Sequence, residues 1–249
     1  MSRIDAVIIA AMEEEIAPFL AQATMVSEPE RIGNSIQRSC TINGQAILLV
    51  QGGIGLVNAA SAATAALLRA ETQAPGAAKP LLISAGSAGG LGDDVRVGDV
   101  VIGSVTINAD ADARAFGYEL GQVPGMPANY PADAQALELS NIGTPGFGDI
   151  ATIHQGLLVS SYKFVGHDRA PVIKEAFDGV LATDMESSAL AQTCASFSAP
   201  FLAIRGISDL CGPASDADFL THVDDAADRS AAVVLAVIDA WAAVQPTAG

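Results

Sequence analysis

Basic residues are scarce in this sequence. Its 249 residues carry 12 Lys and Arg against 28 Asp and Glu, a formal charge of −16. Sequence-independent binding to nucleic acid needs cations that neutralise phosphates, so the balance argues against a nucleic-acid polymer as partner. It argues equally against docking on an anionic membrane surface. Cysteine is scarce too. Cys40, Cys194 and Cys211 make no disulfide framework for a chain of this size. No Cys-x-x-Cys pair occurs, and His154, His167 and His222 are scattered, so no metal site is expected. No stretch of roughly 18 uncharged apolar residues occurs that would read as a membrane span. The first apolar run stops at Glu13, short of what a secretory signal needs. The expectation is a soluble, reduced, cytoplasmic protein.

What the chain does have is apolar content. Half of its residues are hydrophobic and only 16% are charged, which sets it apart from disordered chains. A single domain of this length can bury roughly three quarters of the surface its unfolded chain exposes. Strand-like and helix-like patterns alternate. Ala6-Val7-Ile8-Ile9-Ala10 is followed by an acidic helical segment from Glu13. Residues 36–40 and 46–50 flank Asn43-Gly44, a strong hairpin signal. An Ala-rich helix is expected over 57–70. Further apolar runs stand at 81–83, 100–102, 156–159, 180–182 and 201–204, as strands covered on both faces would. Helical patterns lie near 132–139, 171–177, 187–195 and 218–244. The alternation predicts one α/β domain over 1–249, with a mostly parallel sheet flanked by helices. Residues 110–131 form a long polar stretch rich in Gly and Pro, of a kind that is usually functional or interface-forming.

Four polar clusters follow or end apolar runs. The first is Ala11-Met12-Glu13-Glu14-Glu15, whose acids suit a helix N-terminus as readily as a general base. The second is Ser84-Ala85-Gly86-Ser87-Ala88-Gly89-Gly90. It fits neither the dinucleotide fingerprint nor a Walker loop, and a tight turn explains it as well as a ligand does. The third is Asp184-Met185-Glu186-Ser187, where an acid is either a helix cap or a grip on sugar hydroxyls. The fourth is Arg205-Gly206-Ile207-Ser208-Asp209, where Asp209 is either a loop cap or a proton donor. Each is weak alone. In open α/β sheets ligands bind outside the carboxyl ends of strands, so four such clusters point to one convergent site.

Together these residues resemble the nucleoside phosphorylase and nucleosidase superfamily. The resemblance runs from Ile4 to about Ala243, and its landmarks stand in order: the Met-Glu-Glu-Glu segment ending at Glu15, Gly86-Ser87-Ala88-Gly89-Gly90, Ala115-Phe116-Gly117-Tyr118, Met185-Glu186-Ser187 and Ile207-Ser208-Asp209. The acidic triplet and Phe116-Gly117-Tyr118 with Gly121-Gln122-Val123-Pro124-Gly125 point to the bacterial 5′-methylthioadenosine/S-adenosylhomocysteine nucleosidase branch. The fold implied is a twisted mixed sheet, partly barrel-like and flanked by helices.

The activity implied is hydrolysis of the bond between adenine and a 5′-thio-substituted ribose, without a cofactor. The departing base needs a proton, and water must reach a sugar with oxocarbenium character, as in glycosidases. By the resemblance Asp209 is the general acid towards purine N7, and Glu15 activates water that Ser87 and Arg205 help hold. Glu186 accepts hydrogen bonds from ribose hydroxyls, with Met185 packed beside the sugar. Phe164 stacks on adenine, and backbone groups of Val165 read its edge. Ser208 supports the Asp209 loop. Phe219 closes over the site, on a segment, 211–219, composed as a mobile lid would be. Phe116 and Pro124 line the 5′-thio pocket of a neighbouring subunit, which implies a homodimer.

Three residues depart from the family pattern. Tyr162 stands where an aspartate is usual, Asp184 where a glutamate is frequent, and Ala113 where a larger apolar residue is frequent. These bear on substrate range. A phosphorylase would need a phosphate site, whereas here carboxylates follow the first strand and no arginine cluster is present. Nucleosidases for other 5′-modified nucleosides, 5′-deoxyadenosine or 6-amino-6-deoxyfutalosine, would use the same residues. A non-catalytic nucleoside-binding protein predicts loss of an acid or base, yet Glu15, Glu186 and Asp209 are all present.

Overall fold

A computed structural model describes residues 3–141 and 152–245. The first strand, β1 (Ala6–Ala10), lies inside the sheet, with β4 (Gln45–Gln51) parallel on one side and β5 (Leu81–Gly90) parallel on the other. Beyond β4 lie β3 (Ser35–Ile42) and the short edge strand β2 (Glu30–Ile32), both antiparallel. The β3–β4 turn is the expected Asn43-Gly44 pair, with φ of 50° and 83°. Positive φ at both central residues matches the right-handed twist of the flanking strands.

The other half of the sheet closes on itself. From β5 the pairing passes to β10 (Phe201–Asp209), β6 (Val100–Asn108), β8 (Ile153–Ser160) and β9 (Val180–Asp184), and returns to β5 through Gly89 and Gly90. A two-residue strand, β7 (Tyr130–Pro131), pairs with β6. The result is a five-stranded barrel fused to an open sheet. Parallel and antiparallel pairings occur equally, which corrects the mostly parallel reading and fits the mixed sheet that the resemblance implies.

Side chains on β1 alternate between two cores, as a period of two requires. Ile8 faces α1 (Glu13–Gln22) and α6 (Ser215–Val244), among Ile16, Phe19, Val234 and Ile238. Val7 and Ile9 face α2 (Leu56–Gln73) and α5 (Ser187–Phe197), among Ala59, Ala63, Leu67 and Leu190. Of two shorter helices, α3 (Ala134–Leu139) adds Ala136 to the core around Ile8, and α4 (Ala170–Ala176) buries Ile173 in a separate cluster with Val159 and Val165. On α2 the buried Leu56, Ala59, Ala63, Ala66 and Ala70 recur at three to four residues, so small side chains make one helical stripe that lies close on the sheet. No helix among the described residues is long and apolar enough to cross a membrane.

The glycine-rich run at 86–90 is not a turn after a strand; it continues β5, and the 205–209 segment likewise continues β10. Gly86 takes φ of 131°, a conformation that glycine adopts at no steric cost. Gly206 lets α6 approach β10: a Cβ there would lie 2.0 Å from the Ala226 carbonyl oxygen. That neighbour is backbone in a buried helix and has nowhere to go. Gly206→Ala is therefore expected to cost at least about 2 kcal/mol through overpacking, read as a lower urea midpoint at an unchanged slope.

Candidate active site

A cavity of about 180 Å³ opens at the carboxyl ends of the strands. Its walls come from Ala11 and Met12 after β1, Ile54 after β4, Ser87 to Gly89 on β5, the 163–165 loop after β8, Thr183 and Asp184 ending β9 with Met185 and Glu186 after it, Ser208 and Asp209 ending β10, and Phe219 on α6. All four sequence clusters reach it.

Glu15 enters from α1 and is buried. Its Oε2 accepts from the backbone N–H groups of Ala11 (2.9 Å) and Met12 (3.1 Å). Its Oε1 accepts from the Ser87 N–H (2.8 Å) and the Ser87 hydroxyl (2.9 Å). Four donors thus hold both oxygens, which fixes the rotamer. Gly86 makes room for this: a Cβ there would lie 2.4 Å from Oε1.

Arg205 is the largest fully buried side chain among the described residues, at 1% exposure. Its Nη2 lies 2.9 Å from Asp184 Oδ2 and 3.5 Å from Glu186 Oε2, and donates to Ser84 Oγ at 2.7 Å. Its Nη1 donates to the Ser87 carbonyl at 3.3 Å. Asp184 in turn accepts from the Glu186 and Ser187 N–H groups at 3.3 and 3.2 Å, capping α5. It also accepts from the Ser160 and Ser187 hydroxyls. Glu186 accepts from the Gly55 N–H at 2.8 Å. Burial pushes the Glu186 carboxyl up to about 7. Arg205 and the Gly55 N–H oppose the shift, whereas Asp184 and Glu15 add to it as like charges.

Asp209 is the last residue of β10 and only 2% exposed. Its Oδ1 accepts from the Cys211 N–H at 2.9 Å, and the Ser208 hydroxyl lies 3.1 Å from Oδ2. Burial raises this carboxyl above the usual range, the Cys211 and Ser208 hydrogen bonds oppose that, and Asp218 adds to it. The group is thereby biased towards holding a proton.

Phe164 and Phe219 meet edge to face at the cavity mouth, with centroids 6.1 Å apart and planes at 74°. Phe164 is half exposed, while Val165 is buried beneath it. Phe219 sits in the first turns of α6, because the helix begins at Ser215 and not near Asp218. Within the 211–219 segment, residues 215–219 are thus helical and 211–214 form the turn that leads into them. Glu15, Ser87, Phe164, Val165, Met185, Glu186, Ser208, Asp209 and Phe219 all line the cavity, and Arg205 supports its floor from behind. Phe116 and Pro124 do not line it; both are exposed, Phe116 on a 3₁₀ turn at 83% exposure. Sequence reasoning missed Ile54, Lys163 and Thr183 as wall residues, and the N–H of Gly55 as a partner of Glu186. The nearest signal for Gly55 is its place in Gly52-Gly53-Ile54-Gly55, directly after the β4 run.

The sequence matches the family model of the phosphorylase superfamily over residues 5–239. It is 38% identical to a 5′-methylthioadenosine/S-adenosylhomocysteine nucleosidase of Chromohalobacter salexigens, over 93% of this chain and 95% of that one. It is 36% identical to the enzyme of that name from Geobacillus sp. (strain WCH70), over 93% and 96%. Among solved structures, the Neisseria meningitidis 5′-methylthioadenosine/S-adenosylhomocysteine nucleosidase in complex with methylthio-immucillin-A superposes with a TM-score of 0.86 at 35% identity, covering 94% of this chain and 97% of that one.

The raised Glu186 carboxyl has a consequence for stability. Between its ordinary 4.5 and about 7, the folded protein keeps a proton that the unfolded chain has lost. Stability therefore falls as pH rises through that window. Glu186→Gln lacks this titration. The stability of the variant relative to the wild type is expected to rise from pH 4.5 to pH 7, read from urea midpoints across the range. A flat difference would refute the assignment.

Proposed function

The chain belongs to the phosphorylase superfamily and, within it, to the 5′-methylthioadenosine/S-adenosylhomocysteine nucleosidases, and on that premise we propose how its cavity works. The reaction is hydrolysis of the N-glycosidic bond of 5′-methylthioadenosine or S-adenosylhomocysteine. It releases adenine and a 5′-thio-substituted ribose. The observation that carries the reading is the meeting, in one cavity, of a fully hydrogen-bonded Glu15 with an Asp209 whose carboxyl is biased towards protonation.

In this reading Asp209 gives its proton to purine N7 as the C1′–N9 bond breaks. A donor must hold a proton near the working pH, and the burial of Asp209 supports that role. Water adds to C1′ and loses a proton to Glu15, whose orientation Ser87 keeps. Arg205 anchors the Ser87 carbonyl and Glu186 from behind. Glu186 accepts from the ribose hydroxyls and, once it ionises above about 7, favours the positive charge that develops on the sugar. Met185 packs on the sugar. Phe164 stacks on adenine, Val165 offers backbone groups to its edge, Ser208 steadies Asp209, and Phe219 covers the bound nucleoside. Phosphorolysis is disfavoured, because the Arg205 guanidinium is already engaged by two carboxylates and a phosphate would lie beside Glu15.

The exposed Phe116 and Pro124 support a homodimer in which each copy completes the 5′-thio pocket of the other. The three buried free cysteines support work in the reducing cytoplasm.

Two tests follow. Asp209→Asn is expected to lose hydrolysis, by at least about a hundredfold, while adenine still binds, and Glu15→Gln to be equally inactive. Adenine release from 5′-methylthioadenosine, S-adenosylhomocysteine and 5′-deoxyadenosine, with and without phosphate, checks both. A sugar 1-phosphate formed only with phosphate would overturn hydrolysis. Sedimentation is expected to give a dimer, and Phe116→Ala to raise KM for the 5′-thio nucleosides more than for adenosine.

A further inference from the structure

Tyr162 links two loops that reach the cavity from different parts of the chain, the one carrying Ile54 and the one carrying Lys163 and Phe164. Its backbone N–H donates to Asp110 Oδ2 at 2.6 Å. Asp110 is itself held by the Ser161 hydroxyl at 3.0 Å and by Arg169 at 3.1 Å. The backbone end of Tyr162 is thus fixed. At the other end its hydroxyl accepts from the Val57 N–H at 2.9 Å, one of the orphan donors at the start of α2. Between the two ends, the ring lies against Gly55, where a Cβ would come within 3.2 Å of Cε1. Gly55 has φ of 100° and no side chain to hold it, and its N–H is the backbone donor to Glu186. The resemblance leads one to expect an aspartate at position 162, which carries no ring to lay on Gly55.

We propose that Tyr162 is a positioning residue, whose ring and hydroxyl press the 53–57 turn into place so that the Gly55 N–H stays on Glu186. This rests on the reading of Glu186 as the ribose acceptor. Tyr162 touches no reacting atom; it acts through Gly55. A donor that wanders leaves Glu186 free to turn towards Arg205, away from the sugar hydroxyls. The cost falls on the ribose end of the site and spares the purine end.

Tyr162→Phe removes the hydroxyl and keeps the ring, and Tyr162→Ala removes both. In the substrate-free protein, amide exchange at Gly55 and Val57 is expected to quicken about fivefold in Tyr162→Phe, as for loss of one neutral hydrogen bond, and more in Tyr162→Ala. KM for 5′-methylthioadenosine is expected to rise by a similar factor, with the inhibition constant of adenine unchanged within about twofold. Unchanged exchange at Gly55 overturns the proposal whatever the activity. So does a loss of adenine affinity in proportion to the nucleoside, which would place Tyr162 in service of the purine loop alone. Quickened exchange in the variants, combined with a wild-type protein that releases no adenine, would instead bring down the reading of Glu186 as a ribose acceptor, and the functional half of the proposal with it.

Discussion

One buried guanidinium organises this molecule. Arg205 lies on β10, yet its partners come from β5 (Ser84 and Ser87), from the end of β9 (Asp184) and from the start of α5 (Glu186 and Ser187). Those elements meet along the seam where the open sheet becomes a barrel. A buried ion pair adds little net stability, since desolvation offsets attraction. Its value here lies in geometry: a rigid fork with several donors admits only one arrangement of the strands and the helix around it.

The same residue sets the electrostatics. One cation faces three carboxylates, Asp184, Glu186 and Glu15, in a region with almost no solvent. The surplus is negative, and each acid meets it differently. Asp184 takes the direct ion pair and the helix-start amides. Glu15 has four donors from its own turn and from Ser87. Glu186 has the weaker hold on Arg205 and one amide, so it bears the excess as a raised carboxyl. A pocket with a negative surplus suits a sugar that becomes positive as its bond to the base breaks.

Much of this was legible in the residues. Asn43-Gly44 read as a hairpin because only a few dipeptides accept positive φ twice. The apolar runs located most of the strands, and the convergence of polar clusters at strand ends located the cavity. What the residues did not reveal depends on partners far away in the chain. The 86–90 run suited a tight turn as well as a ligand loop, because glycines favour turns locally, whereas pairing with β10 and β9 keeps it in the sheet. The closure of the barrel is a long-range property with no local pattern. The edge strand at 30–32 is too short to leave a periodicity. The link from Tyr162 to Val57 spans 105 positions and involves a backbone N–H, which no side-chain motif encodes.

The placement of Phe219 on α6 carries a further meaning. This helix is 30 residues long, and from Ala226 onward it is packed into the core, with Ser230 hydrogen-bonded to both Gly86 and Ile204. Phe219 is thus carried on the same rod whose buried stretch is hydrogen-bonded to β5 and β10, so one helix ties an aromatic wall of the cavity to the two strands that supply Ser87 and Asp209.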